Sequence, residues 1–132
     1  AGAVGLAAAI QYLNTLGMEN VHRAEQELTA YLIKGMQSIP HVHLLGSARP
    51  DNHTGIASFT VDRVHPHDIS EILSSDGIDM RAGHHGAQPL HQHLGIPSTA
   101  RASVMFYNTV AEVDRFLESV ANIRKRMGFG DE

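Results

Sequence analysis

The 132-residue chain contains no cysteine, and this absence excludes a disulfide framework, a thiolate metal site and thiol chemistry. No apolar run reaches the ~20 residues that a membrane-spanning helix needs. The apolar start, Ala1 to Ile10, lacks the basic region of a secretion signal. A formal net charge of -4 gives no electrostatic footprint for nucleic acid or an anionic membrane. We therefore expect a cytoplasmic protein.

The length fits one domain with a single modest core. Hydrophobic residues make up 42% and charged residues 18% of the chain, which is ordinary globular composition. The chain starts directly in helix-like sequence and has no initiator methionine, so we expect a fragment whose natural neighbour is missing.

Hydrophobic periodicity predicts four helices and four short strands, in the order α-α-β-β-α-β-(long loop)-β-α. The predicted helices cover 3–16, 19–38, 66–75 and 109–127. The predicted strands cover 41–45, 55–61, 78–81 and 101–106. The buried stripe of the last helix is predicted as Val110, Val113, Leu117, Val120, Ile123 and Met127. This order predicts an α/β domain, α+β-like, with a mostly antiparallel three- to four-stranded sheet covered by helices on one side. A βαβ pair around 66–76 would add a parallel step.

The segment 82–99 is predicted as a long loop with one helical turn at 90–94, and loops of this length are more often functional than idle. Its first part, with Arg81, concentrates glycine, histidine and arginine. If the strands before and after the loop are antiparallel neighbours, Arg81 and Arg101 converge at one edge. Paired guanidinium groups there would hold a carboxylate or phosphate. The alternative is that both arginines and the His-His pair are ordinary solvated surface groups.

Histidines in and near the loop also raise the question of a metal. His84, His85, His91 and His93 carry imidazoles, but their spacing matches no zinc motif and no acidic residue nearby completes a set. We therefore predict no metal site. In the segment before the third helix, Pro66 and Asp68 are explained as helix-start residues, whereas His67 has no structural explanation in the sequence.

Two motifs together carry a family resemblance. The sequence Arg-Ala-Gly-His-His-x-Ala-Gln-Pro at 81–89 is followed by Arg-Ala-Ser-Val-x-x-Tyr-Asn-Thr at 101–109. This combination resembles the C-terminal small domain of the Suf-type cysteine desulfurases, pyridoxal-phosphate (PLP) enzymes of the aminotransferase class V group with the type I fold. The resemblance runs through the whole chain, so 1–132 is expected to be one small domain from which the large PLP-binding domain is absent.

The resemblance implies roles for individual residues. Arg101 would anchor the carboxylate of L-cysteine and Arg81 would line the same pocket, with His84, His85 and Gln88 in the adjoining loop. The family places its persulfide-forming cysteine where this sequence has Gly86, which offers no thiolate.

The resemblance also implies a cofactor and partners. PLP would bind in the parent enzyme, because only Lys34 and Lys125 occur here and neither lies in a matching motif; the isolated chain is expected to be inactive. A sulfur-acceptor protein of the Suf system, one containing zinc, would meet His67, and the full-length enzyme would be a homodimer. Two alternatives stay open: a selenocysteine lyase or related class V lyase, and a non-catalytic module that docks a partner.

Overall fold

The computed structural model describes residues 1–130, which form five helices, a short 3-10 turn at Pro50–Asn52 and four strands. The helices are α1 (Gly2–Leu16), α2 (Met18–Gln37), α3 (Pro66–Ser75), α4 (Gln88–Leu94) and α5 (Val110–Arg126). The strands are β1 (Val42–Leu44), β2 (Ile56–Val61), β3 (Arg81–Gly83) and β4 (Thr99–Ser103). No helix within this described part is long and apolar enough to cross a membrane.

The four strands form one sheet in the order β1-β2-β4-β3, and every neighbouring pair is antiparallel. The predicted parallel step is therefore wrong as a pairing. Strands β2 and β3 do run in the same direction, since both oppose β4, but β4 lies between them. The connection through α3 therefore leads from β2 to β3 across a gap of one strand, and β4, which follows in the chain, occupies that gap.

One face of the sheet carries the core, as predicted. Alternate residues of β2 and β4 point to this face and are almost fully buried: Ala57, Phe59, Val61, Ala100 and Ala102. Helices α2, α3 and α5 pack against them. We call this the helix-covered face, and the opposite side, which carries Ser58 and Arg101, the open face.

Helix α5 begins at the predicted capping box, in which Thr109 and Glu112 satisfy each other's backbone N–H groups. Its buried stripe was predicted only in part. Val113, Val120 and Ile123 are buried, but Val110 and Met127 are 49% and 38% exposed. Phe116, which the prediction omitted, is buried instead of the outer residues.

The strands around the long loop lie a few residues from their predicted positions. Strand β3 starts where the prediction ended, at Arg81, and β4 spans 99–103 rather than 101–106. Beyond β4 the chain folds into a turn in which the Asn108 side chain accepts a hydrogen bond from the Met105 N–H (2.8 Å). Phe106 therefore lies outside the sheet and is not on a strand face with Ala102. The predicted helical turn at 90–94 is the longer helix α4.

Helix α1 has the predicted extent but no buried residue. Its apolar side chains remain accessible; Val4 is 75% and Leu6 63% exposed. Its substantial contacts with other described elements are with α2. The apolar composition correctly predicted a helix here. The burial that normally goes with such a composition is absent from α1 within the described residues.

Candidate substrate-binding site on the open face

The open face carries a row of polar side chains across three strands. In the register of the sheet, Ser58 of β2 lies opposite Arg101 of β4, and Arg101 lies opposite Arg81 of β3. Directly opposed residues share a face, with Cβ atoms ~4.5–5.5 Å apart. The predicted convergence of the two arginines is confirmed as a backbone pairing.

Arg101 is the electrostatic centre of this row. Its Nε is buried, and no described residue accepts a hydrogen bond from it. Like charges directly opposite each other in a sheet are destabilising, so the pairing with Arg81 costs free energy as it stands. An anion between the two guanidinium groups would offset that repulsion and satisfy the orphaned Nε. The arrangement fits a carboxylate or a phosphate.

The loop next to the arginines is a tight turn. The Ala87 N–H donates to the His84 carbonyl oxygen (2.8 Å), and both central residues have positive φ, His85 at 53° and Gly86 at 75°. Positive φ at both positions is the signature of a type I′ turn. A Cβ built on Gly86 meets nothing within 4 Å. Position 86 is therefore open in space but favours glycine in its backbone.

His85 is anchored from the turn to strand β4. Its Nε2 lies 3.0 Å from Thr99 Oγ1 and 3.2 Å from the Thr99 carbonyl oxygen. Thr99 Oγ1 also lies 3.2 Å from Nε2 of His91 in α4. Burial, and then the positive charge of Arg101, hold the pKa of His85 below its ordinary value of 6.5. The imidazole is therefore neutral at neutral pH.

Two of these residues were not predicted as part of the site. Thr99 was placed in the loop, and His91 was considered only as a metal ligand. Both are buried, at 0% and 7% exposure. A threonine before a strand and a histidine in a polar helix carry no local signal of contact, because residues 85, 91 and 99 meet only through the tertiary fold.

The other predicted loop residues lie at the surface. His84 is exposed, and its Nδ1 accepts a hydrogen bond from the Gly86 N–H (3.2 Å). Gln88 is the exposed first residue of α4. His67 is exposed near the start of α3 and stacks on His65, with ring centroids 5.3 Å apart. This stacking gives His67 a structural contact that the sequence did not indicate.

Other binding features lie elsewhere or fall short of a site. Within residues 1–130 no group of three or more His, Asp or Glu side chains could hold a metal ion. A cavity of ≈ 220 Å³ opens between residues 77–80, the end of β4 and α5, and neither Arg81 nor Arg101 lines it. The arginine row therefore lies outside this cavity.

Neither lysine of the chain lies near the arginine row. Lys34 and Lys125 are exposed on α2 and α5, which pack on the helix-covered face, so neither reaches the arginine row. Any cofactor lysine must come from outside this chain.

Comparison with known proteins agrees with this geometry. The aminotransferase class-V family model matches residues 1–116. A probable cysteine desulfurase 2 from Mycobacterium leprae is 46% identical over 117 residues, covering 89% of this chain and 28% of that protein. The apo structure of a cysteine desulfurase from Thermococcus onnurineus superposes with a TM-score of 0.89 at 38% identity, over 95% of this chain and 31% of the other.

A more distant neighbour is the cystine C–S lyase C-DES in complex with its product cysteine persulfide. It has a TM-score of 0.72 and 28% identity, over 89% of this chain and 28% of the other, and a second structure of that lyase carries PLP. The chain belongs to the aminotransferase class-V family. It spans roughly 30% of the length of the curated relatives that it matches.

Proposed function

We propose that this chain is the C-terminal small domain, residues 1–132, of a PLP-dependent cysteine desulfurase that takes sulfur from L-cysteine and leaves L-alanine. Its task there is to bind the substrate carboxylate. The observation that carries this proposal is the Ser58–Arg101–Arg81 row with its buried, unpartnered Arg101 Nε. The relatives named as desulfurases supply the reaction class.

Gly86 limits how such an enzyme works. With no thiol at this position, or anywhere in the chain, sulfur cannot be held here as a protein persulfide. A thiol from outside this chain must then accept it. The missing thiol also favours a second candidate, a class V lyase that cleaves the C–S bond without an enzyme thiol. The neighbour C-DES is a cystine C–S lyase, which supports this reaction class. A selenocysteine lyase belongs to the same group.

The products separate these candidates. The full-length protein, loaded with PLP and given L-cysteine and dithiothreitol, should form alanine and sulfide if it is a desulfurase. Pyruvate and ammonia from cystine indicate the lyase, and preference for selenocysteine indicates the selenocysteine lyase. If none of these products forms, the chain is a non-catalytic docking module and the proposal is wrong.

The arginine row has its own test. Arg101→Gln in the full-length protein removes a charge-assisted hydrogen bond to the carboxylate, so kcat/KM should fall by about 10- to 100-fold, mainly through KM. Arg23→Gln, an exposed arginine of α2, is the matched control and should leave kinetics unchanged. Equal kinetics for Arg101→Gln and the control would remove Arg101 from the site.

Gly86→Cys tests the persulfide position. A Cβ at position 86 meets no atom within 4 Å, so a side chain has space, although the φ of 75° strains any residue other than glycine. If the position is the family's sulfur-transfer site, the variant should release sulfide from cysteine faster than the Gly86 protein when reductant is present. An unchanged rate would contradict that assignment.

The partners belong to the same proposal. A Suf-type acceptor containing zinc would meet His67, which is exposed and so accessible to a partner. The parent enzyme would be a cytoplasmic homodimer, and this chain alone would be inactive. His67→Ala should weaken binding of a zinc-loaded acceptor, with His22→Ala on α2 as the exposed control; unchanged binding would remove His67 from the proposal.

A further inference from the structure

The hydrogen bonds that link His85, Thr99 and His91 have only one consistent direction when both rings are neutral. His91 Nδ1 lies 3.1 Å from the Ala87 carbonyl oxygen, which can only accept, so the proton of His91 is on Nδ1. His91 Nε2 is then an acceptor. The Thr99 hydroxyl, 3.2 Å away, must donate to it.

The other end of the chain of hydrogen bonds is fixed in the same way. Thr99 Oγ1 has spent its proton on His91, so it can only accept from His85. The Thr99 carbonyl oxygen, 3.2 Å from His85 Nε2, also only accepts. His85 is therefore protonated at Nε2, and its Nδ1 keeps the free lone pair. No hydrogen bond to that Nδ1 is present among the described residues, and it is not one of the fully buried side-chain atoms without a partner, so it keeps some solvent exposure.

The His85 ring contacts the same face of the sheet that carries Arg101. Thr99 and Arg101 are two residues apart in β4, so their side chains share a face about 6.6 Å apart along the strand. His85, bonded to Thr99, lies beside Arg101, whose charge it feels. An amino acid whose carboxylate is held at Arg101 would place its ammonium or thiol group within reach of this edge.

We propose that Thr99 and His91 are positioning residues: they hold His85 as the Nε2–H tautomer, so that Nδ1 accepts a hydrogen bond from the thiol or ammonium group of the amino acid bound at Arg101. This inference rests on the proposed function for its substrate but not for its tautomer. Thr99 and His91 need not touch the substrate, because they act through His85.

The test reads the tautomer directly. The full-length protein is labelled with ring-15N histidine, and the His85 signals are assigned with His85→Gln and recorded at pH 8. The charged or titratable groups that face His85 are Arg101 from β4, His91 from α4 and His84 from its own turn. In the unaltered protein, His85 should be the Nε2–H form, with an unprotonated Nδ1. A His85 Nδ1–H signal there would overturn the proposal.

Variants then separate the hydroxyl from the carbonyl of Thr99. Thr99→Val and His91→Leu should each raise the Nδ1–H to Nε2–H ratio of His85 about fivefold, the effect of losing one hydrogen bond. Thr99→Ser keeps the hydroxyl and should keep the ratio. His93→Leu makes the same change two residues along α4 at an exposed position and is the control. If Thr99→Val and His91→Leu both leave the ratio unchanged, the carbonyl alone sets the tautomer and neither residue is a positioning residue.

Arg101→Gln distinguishes failure of this inference from failure of the proposed function. It should weaken cysteine binding while His85 stays in the Nε2–H form. A cysteine affinity that Arg101→Gln does not change defeats the proposed function and leaves the tautomer result standing.

Discussion

The two faces of the sheet are built from the same strands but solve opposite problems. On the helix-covered face, small and large apolar side chains alternate and are almost fully buried, with Phe59 packed edge-on against Phe116 at a ring-centroid distance of 6.1 Å. On the open face, two arginines lie directly opposite each other and one buried Nε has no partner. The apolar packing on the helix-covered face stabilises the fold. The arginines on the open face are left with a hydrogen-bond donor and positive charge that a bound anion could satisfy.

This difference shows where stability has been given up. An unpaired buried donor, opposed like charges and a non-glycine residue at positive φ each cost free energy, and all three occur around His85 and Arg101, although His41 and Arg63 elsewhere in the chain also have positive φ. Such clustering is typical of functional sites, because a ligand that pairs the unsatisfied donor and neutralises the repulsion gains binding free energy by doing so. The comparison predicts that substitutions on the two faces differ in kind.

The largest effect is expected on the helix-covered face. Phe59→Ala removes a fully buried ring and should lower the free energy of unfolding of the 132-residue chain by about 3–5 kcal/mol, measured by urea denaturation. Phe106→Ala is the matched control outside the sheet and should cost clearly less. Equal losses would mean that the helix-covered face is not the main core.

The turn beside the open face should respond to backbone strain. Gly86→Ala places a side chain at φ 75° and should destabilise by about 1–2 kcal/mol although its Cβ has room. Gly5→Ala in α1, where φ is not positive and space is also open, should instead stabilise the chain by up to about 1 kcal/mol, because alanine favours a helix. Urea denaturation of both variants measures the effect of the backbone conformation alone, because both positions have open space around the added Cβ. Equal stability of the two variants would contradict the positive φ at Gly86.

The arginine pair should behave unlike the core. Arg101→Gln removes the repulsion with Arg81, so the free energy of unfolding should rise by about 0.2–1 kcal/mol. The same substitution weakens substrate binding under the proposed function. A loss of stability as large as that of a core substitution would show that Arg101 is structural.

The smallest effect concerns pH. The folded-state pKa of His85 lies below its unfolded value of 6.5, so the unfolded chain binds more protons between the two values. Stability attributable to His85 is therefore complete above pH 6.5 and falls as pH drops through this window.

Arg101→Gln removes one cause of the lowered pKa and should flatten that fall, while burial keeps part of it. The measurement is urea denaturation at a series of pH values between 7.5 and 4.5. His22→Gln, at an exposed histidine of α2, is the control. An unchanged slope in Arg101→Gln would show that the arginine does not act on His85.

The outline of both faces could be predicted from the sequence. Alternation in β2 indicated Ala57, Phe59 and Val61 as core, and the order of elements indicated the antiparallel sheet. The pairing of Arg81 with Arg101 followed from treating the strands around the loop as neighbours. These inferences succeeded because side-chain alternation and turn residues act over a few positions.

Three features could not be predicted in this way. They are the limits of the strands, the place of β4 between β2 and β3, and the exposed ends of the α5 stripe. A strand ends where its partner ends, and Ser103 is the last β4 residue opposite β2. Apolar periodicity continues past that point, so Phe106 fits the pattern without belonging to the sheet. In α1 the pattern predicted the helix, but burial depends on what lies next to it.

By itself, the sequence determined the helices, the core face, the composition of the loop and the absence of any thiol. Only the tertiary structure decided the proton positions on His85 and His91, because Thr99 reaches both rings only once β4 has paired with β2 and β3. Local propensity acts between residues a few positions apart. The two hydrogen bonds to the Thr99 hydroxyl join residues 14 and 8 positions apart, which only the folded chain brings together.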